Sequence, residues 1–175
     1  MNTPSLPSEP VHVFDRPLYL AGTLDNAADN LACTWLGYEW NDRTRCNCGI
    51  VAREVLQVTP VQLKKLLPPI FEDGNFLPTW REMTEIYCRD TGLTRHEVFS
   101  RLLAAGLRPE DFSHLEELSH IEILQRMPSD SRKGKPVRRS RKSDVIAYLR
   151  TWALGIEAYR EDQAVASLRA AQINR

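Results

Sequence analysis

Cys46 and Cys48 stand one residue apart in Arg45-Cys46-Asn47-Cys48-Gly49, directly before the apolar, helix-like run 50–58. A helix N-terminus presents unpaired N–H groups and a partial positive charge, and both favour thiolate over thiol. Two chemistries are open to thiols placed there: ligation of a transition metal and nucleophilic attack.

Ligation requires donors from other segments. Cys88 and the histidines His96, His114 and His120 are the available ones. A zinc or iron site built from Cys46, Cys48, Cys88 and His114 is therefore the leading expectation, with His114 preferred because Leu115 and Leu118 draw its segment toward the core. Cys33 is the alternative thiol, but it lies about 200° around the first helix from Leu31, off the main apolar face. For nucleophilic attack, Cys46 or Cys48 is the candidate nucleophile and His114 the candidate base. The plainer alternative is that the cysteines are packed as small hydrophobes and carry no function.

The string Cys46-Asn47-Cys48-Gly49-Ile50-Val51 also resembles the D-C-x-G-L-V element that opens the catalytic helix of the NlpC/P60 cysteine peptidases, over roughly 25 residues. Aligned on Gly49-Ile50-Val51, the nucleophile position of that family falls on Asn47, and the following segments read as helices where the family places its histidines on strands. The resemblance keeps a thiol-dependent enzyme in view without fixing a nucleophile. Glu117-x-x-His120 has the spacing of a di-iron motif, yet a di-iron site needs a second such motif on another helix, and Glu9 to His12 spans Pro10.

The formal charge is zero, from 23 basic and 23 acidic residues, but it is unevenly spread. Seven basic residues fall in 132–142 with no acid among them, which leaves 16 basic against 23 acidic elsewhere. Such a segment can neutralise phosphates or an acidic partner, although it contains no aromatic residue to stack on a base. An interaction module using 132–142 or the last helix is thus the third functional reading. No apolar run approaches the 18 or so residues that span a bilayer, and the first ten residues lack the features of a secretory signal, so a cytoplasmic protein is expected.

The elements that must position these groups read as helices. At 42% hydrophobic and 26% charged, 175 residues can bury one core. Residues 1–20 read as an irregular leader ending in a short extended piece, and 21–175 as a single helical domain. Leu24, Ala28, Leu31 and Trp35 define a first helix, with Thr23 or Asp25 as N-cap. A second helix covers 49–58. Thr59-Pro60 opens a third that must stop before Pro68-Pro69, and a fourth covers 80–90.

Thr94 to Glu97, Ser113 to Glu116 and Ser119 to Glu122 each have the form of a capping box and open short helices. After a basic linker, 129–143, Asp144 opens a long helix over 144–172 whose apolar stripe is Val145, Leu149, Trp152, Ile156 and Tyr159, thinning to Ala166, Ala170 and Ile173. Nothing alternates at period two. The expected class is all-α, with six to eight mostly short helices, one long C-terminal helix, and a homodimer through that helix as the expected assembly.

Overall fold

The computed structural model describes residues 12–33, 37–40, 42, 44–66, 95–128 and 136–173. Among them are seven helices and no strand: α1 (Leu18–Ala32), α2 (Asn47–Leu56), α3 (Pro60–Leu66), α4 (Arg95–Ala104), α5 (Pro109–Glu117), α6 (Ile121–Arg126) and α7 (Lys142–Ile173). The class is all-α, and α7 is the long C-terminal helix that its stripe foretells. The expected helix over 80–90, Cys88 and Trp35 lie outside the described residues, as does the basic linker from 129 to 135.

α1 and α7 form the central pair and run antiparallel. The Lys142 ammonium reaches the carbonyl of Cys33 at the end of α1, Arg150 pairs with Asp29 at 2.6 Å, and Arg160 pairs with Asp15 at 3.2 Å just before α1 begins. Between these ties Val145, Tyr148, Leu149, Trp152 and Ile156 pack fully buried with Leu20, Leu24, Ala27, Ala28 and Leu31 in one core cluster. Each large apolar side chain buried in this way contributes about 1.5–3 kcal/mol.

The chain enters that core earlier than expected. Residues 12–20 are neither leader nor extended piece: Val13 and Phe14 are buried, and α1 starts at Leu18 with Pro17 at its N-cap position. Thr23 and Asp25 therefore sit inside the helix, where the Thr23 hydroxyl bonds back to the Tyr19 carbonyl at 2.9 Å. The helical stripe continues N-terminally through Leu20 and Ala21, a signal that the three prolines of the first ten residues mask. Trp152 Nε1 donates to the Val13 carbonyl at 3.3 Å and pins this entry segment to α7.

Local capping explains the shorter helices. Thr59 and Gln62 bond reciprocally, Thr59 N–H to Oε1 at 2.8 Å and Gln62 N–H to Oγ1 at 3.2 Å, which fixes the start of α3 at Pro60. α5 begins at Pro109 and not at Ser113, because Asp111 accepts the Arg108 N–H at 2.7 Å and closes the first turn upstream. α6 follows His120 in the N-cap position, one residue later than the Ser119 pattern implies. Asp144, expected to open α7, lies in its first turn and accepts the Arg138 N–H at 2.8 Å.

Candidate functional site

A tight turn carries the chain into the cysteine element. Asp42 Oδ1 accepts both the N–H and the hydroxyl of Thr44 at 2.8 Å, while the Asp42 carbonyl accepts the N–H groups of Arg45 and Cys46 at 2.9 and 2.7 Å. Burial raises the Asp42 carboxyl, but the two Thr44 bonds and Arg45 outweigh it and hold the pKa below the ordinary value. The turn leaves Cys46 in the N-cap position of α2, in extended backbone at φ −76° and ψ 174°. Asn47, Cys48 and Gly49 then form the first turn.

Burial reverses the expected thiol chemistry. Cys48 is fully enclosed, and its Sγ donates to the Phe112 carbonyl of α5 at 3.4 Å. Burial pushes its pKa well up, and Cys46 and Glu116 push it further. Cys46 is partly buried and is also raised, chiefly by burial; the amides of Gly49 and Cys48 pull it down, and Glu116 and Asp42 add to the rise. The helix-terminal effect is therefore present at Cys46, but desolvation exceeds it. An activated nucleophile needs the opposite balance.

Between the thiols sits a residue whose structural role the sequence pattern does not show. Asn47 is buried, its Nδ2 donates to the Leu115 carbonyl at 2.9 Å, and its Oδ1 accepts from the Tyr38 hydroxyl. That hydroxyl also faces the Arg139 carbonyl. One side chain thus ties the start of α2, the end of α5, the 37–40 segment and the stretch before α7. Burial pushes the Tyr38 phenol well above its usual range, so it stays a donor. The available signal was a lone asparagine at a helix start flanked by two small apolar residues.

The other sequence candidates fall in different places. His114 Nδ1 bonds Ser119 Oγ at 2.9 Å, and its ring meets that of His120 edge-on at 4.8 Å. The His96 side chain, like Cys88, lies outside the described residues. Cys33 is exposed, as its helical phase implies. Among the described residues no three His, Cys, Asp or Glu side chains are grouped to hold a metal ion. The set Cys46, Cys48, Cys88 and His114 is consequently not assembled by the described part of the chain.

Three basic residues around the start of α7 have internal partners. Arg139 stacks over the Trp40 ring at 4.1 Å and pairs with Glu117, Arg141 pairs with buried Asp144 at 3.4 Å, and Lys142 caps α1. These three charges stitch the fold.

Among the described residues, nothing covers the end of α7. Tyr159 stacks on His12 at 5.0 Å and Arg160 donates to the Arg16 carbonyl at 2.7 Å; from Glu161 to Ile173 every residue is exposed. Thirteen residues extend the helix about 20 Å past its last anchor. Leu154, Val165 and Leu168, 64%, 46% and 67% exposed, lie within about 40° of one line at 100° per residue, on the side of α7 opposite Val145, Leu149, Trp152 and Ile156. Reading α7 for one stripe found the core face and missed this second one.

No protein-family model matches the chain, and neither the curated proteins nor the solved structures contain a detectable match to it. Among the described residues no helix is long and apolar enough to cross a membrane.

Proposed function

We propose that this chain is a protein-binding module whose binding element is the outward face of α7. The observation that carries the reading is the position of Leu154, Val165 and Leu168, three large apolar side chains on one exposed stripe of a helix that outruns its own core. Extending a helix beyond its packing partners gains little stability in water, because helices hold mainly through an amphipathic face packed on something else. A stripe that packs against no other described residue fits a surface kept for a partner. A cytoplasmic setting, in which the thiols stay reduced, suits the same reading.

Truncation after Arg160 tests it. The expected result is a chain that melts within a few degrees of the full-length protein while losing its associations. Loss of the cooperative fold on truncation would show instead that the tail belongs to the stabilising core.

A second proposal keeps the cysteine element as a zinc or iron site with Cys46, Cys48, Cys88 and His114 as ligands. It is supported by the charges the thiols face: Glu116 and Asp42 raise Cys46, and Cys46 and Glu116 raise Cys48, so a cation beside the two sulfurs would favour their thiolates. His114 would have to leave Ser119 to take part. Elemental analysis of purified protein beside a Cys46→Ser/Cys48→Ser variant decides the matter. Stoichiometric metal lost in the variant supports the site, and metal retained in the variant, or absent from both, contradicts it.

A further inference from the structure

The free tail carries its charges in an order that selects a partner. Glu161 and Asp162 come first and Arg169 follows two turns later, with Val165 midway between Glu161 and Arg169. Glu161, Val165 and Leu168 share the exposed stripe, and Arg169 and Asp162 border it on one side. Arg160, the other basic residue here, is already engaged by Asp15 and the Arg16 carbonyl.

We propose, building on the reading of α7 as a binding surface, that its partner is a second copy of this chain, paired antiparallel with Val165 of each copy at the two-fold axis. In that register Arg169 of one tail lies opposite Glu161 of the other, with Asp162 beside it, and symmetry makes the ion pair twice. Val165 meets Val165, and Leu168 packs over the aliphatic part of the opposing Glu161 and Asp162. Ala158 and Ala164, both exposed, flank the stripe and let the backbones approach closely. Parallel pairing would set Glu161 against Glu161 across the seam, a like-charge contact that costs what the antiparallel contact gains.

Charge reversal at exposed positions tests the pairing without touching the core. Sedimentation equilibrium of the full chain should show a monomer–dimer equilibrium that weakens as salt is raised. Arg169→Glu should weaken the dimer at least tenfold, because a carboxylate then faces the Glu161 carboxylate of the other tail. The double variant Glu161→Arg/Arg169→Glu should restore it, because the pair is re-formed with its signs exchanged. Circular dichroism of each variant should match the parent. A chain monomeric at every concentration overturns the pairing, as does a dimer indifferent to Arg169→Glu or one that the double variant fails to restore. Any of these results leaves the binding-surface reading to the truncation experiment, which fails independently if the truncated chain unfolds.

Discussion

The ring of Phe14 lies directly on the backbone of Gly155: a Cβ built at Gly155 would come within 2.3 Å of Phe14 Cε1. Both lie where the entry segment crosses α7. In an exposed helix Gly→Ala stabilises by about 1 kcal/mol, but here the methyl group meets an aromatic ring that is itself fully buried. Gly155→Ala is expected to destabilise by roughly 1–3 kcal/mol in urea unfolding. In a Phe14→Ala background the same substitution should become neutral or favourable, a coupling that a double-mutant cycle reads directly.

Asn47 is expected to matter for stability more than either neighbouring cysteine. Asn47→Ala leaves the Leu115 carbonyl short of a partner in a buried setting and leaves the Tyr38 hydroxyl the Arg139 carbonyl alone, at a cost of roughly 1–3 kcal/mol. Cys48→Ala removes only a weak S–H donor, the bond to the Phe112 carbonyl. Chemical unfolding of the two variants side by side should rank Asn47→Ala as the more damaging. The reverse order would place the weight on the thiols.

Thiol reactivity separates the cysteines by burial. Exposed Cys33 should be alkylated first by iodoacetamide in the folded protein. Cys46 should react slowly and only at high pH, and Cys48 only after unfolding. Peptide mapping of alkylated protein across a pH series gives all three. Rapid alkylation of Cys46 below neutral pH would mean an activated thiol and would revive the nucleophile.

His120 should make the fold sensitive to mild acid. Burial lowers its pKa first, with His114 adding to the drop, while Glu122 and Asp111 oppose it, Arg16 also lowers it, and its Nδ1 is buried without a hydrogen-bond partner. Its unfolded value is near 6.5, so below that pH the unfolded chain takes up the proton more readily than the folded one. Stability should therefore be level above about pH 7 and fall as pH drops below about 6.5. His120→Asn should flatten that slope in urea midpoints measured over the same interval.

Much of the frame was legible from periodicity, for physical reasons that also mark where legibility ends. Val145, Leu149, Trp152 and Ile156 announce α7 because a buried helix face must repeat every three to four residues. Thr59-Pro60 announces α3 because cap and proline act through neighbouring backbone alone. Ser113 misled because a serine followed three residues later by glutamate resembles a cap even inside a helix, while the true first turn of α5 is held by Asp111, which also takes the buried Arg16 guanidinium at 3.1 Å. That pair joins positions 95 residues apart, which no local pattern encodes.

The cysteine element was legible as a position but not as chemistry. Its helix-start placement is real, yet thiol protonation depends on what covers the sulfur, and the cover comes from α5. Asn47 escaped notice because its partners, Leu115 and Tyr38, are set by tertiary packing. The outward stripe of α7 was readable in principle, since Leu154, Val165 and Leu168 hold helical spacing as well as the core face does. It was hidden by the stronger stripe on the same helix.

Amide hydrogen exchange along α7 tests the central claim most directly, because it reports docked and free halves of one helix in one sample. In dilute solution residues 145–156 should exchange slowly and 161–173 fast, and raising the protein concentration should slow 161–173 alone. Uniform slow exchange along α7 at the lowest concentration would contradict a free tail. Fast exchange of 161–173 that never responds to concentration would contradict its pairing with a second copy.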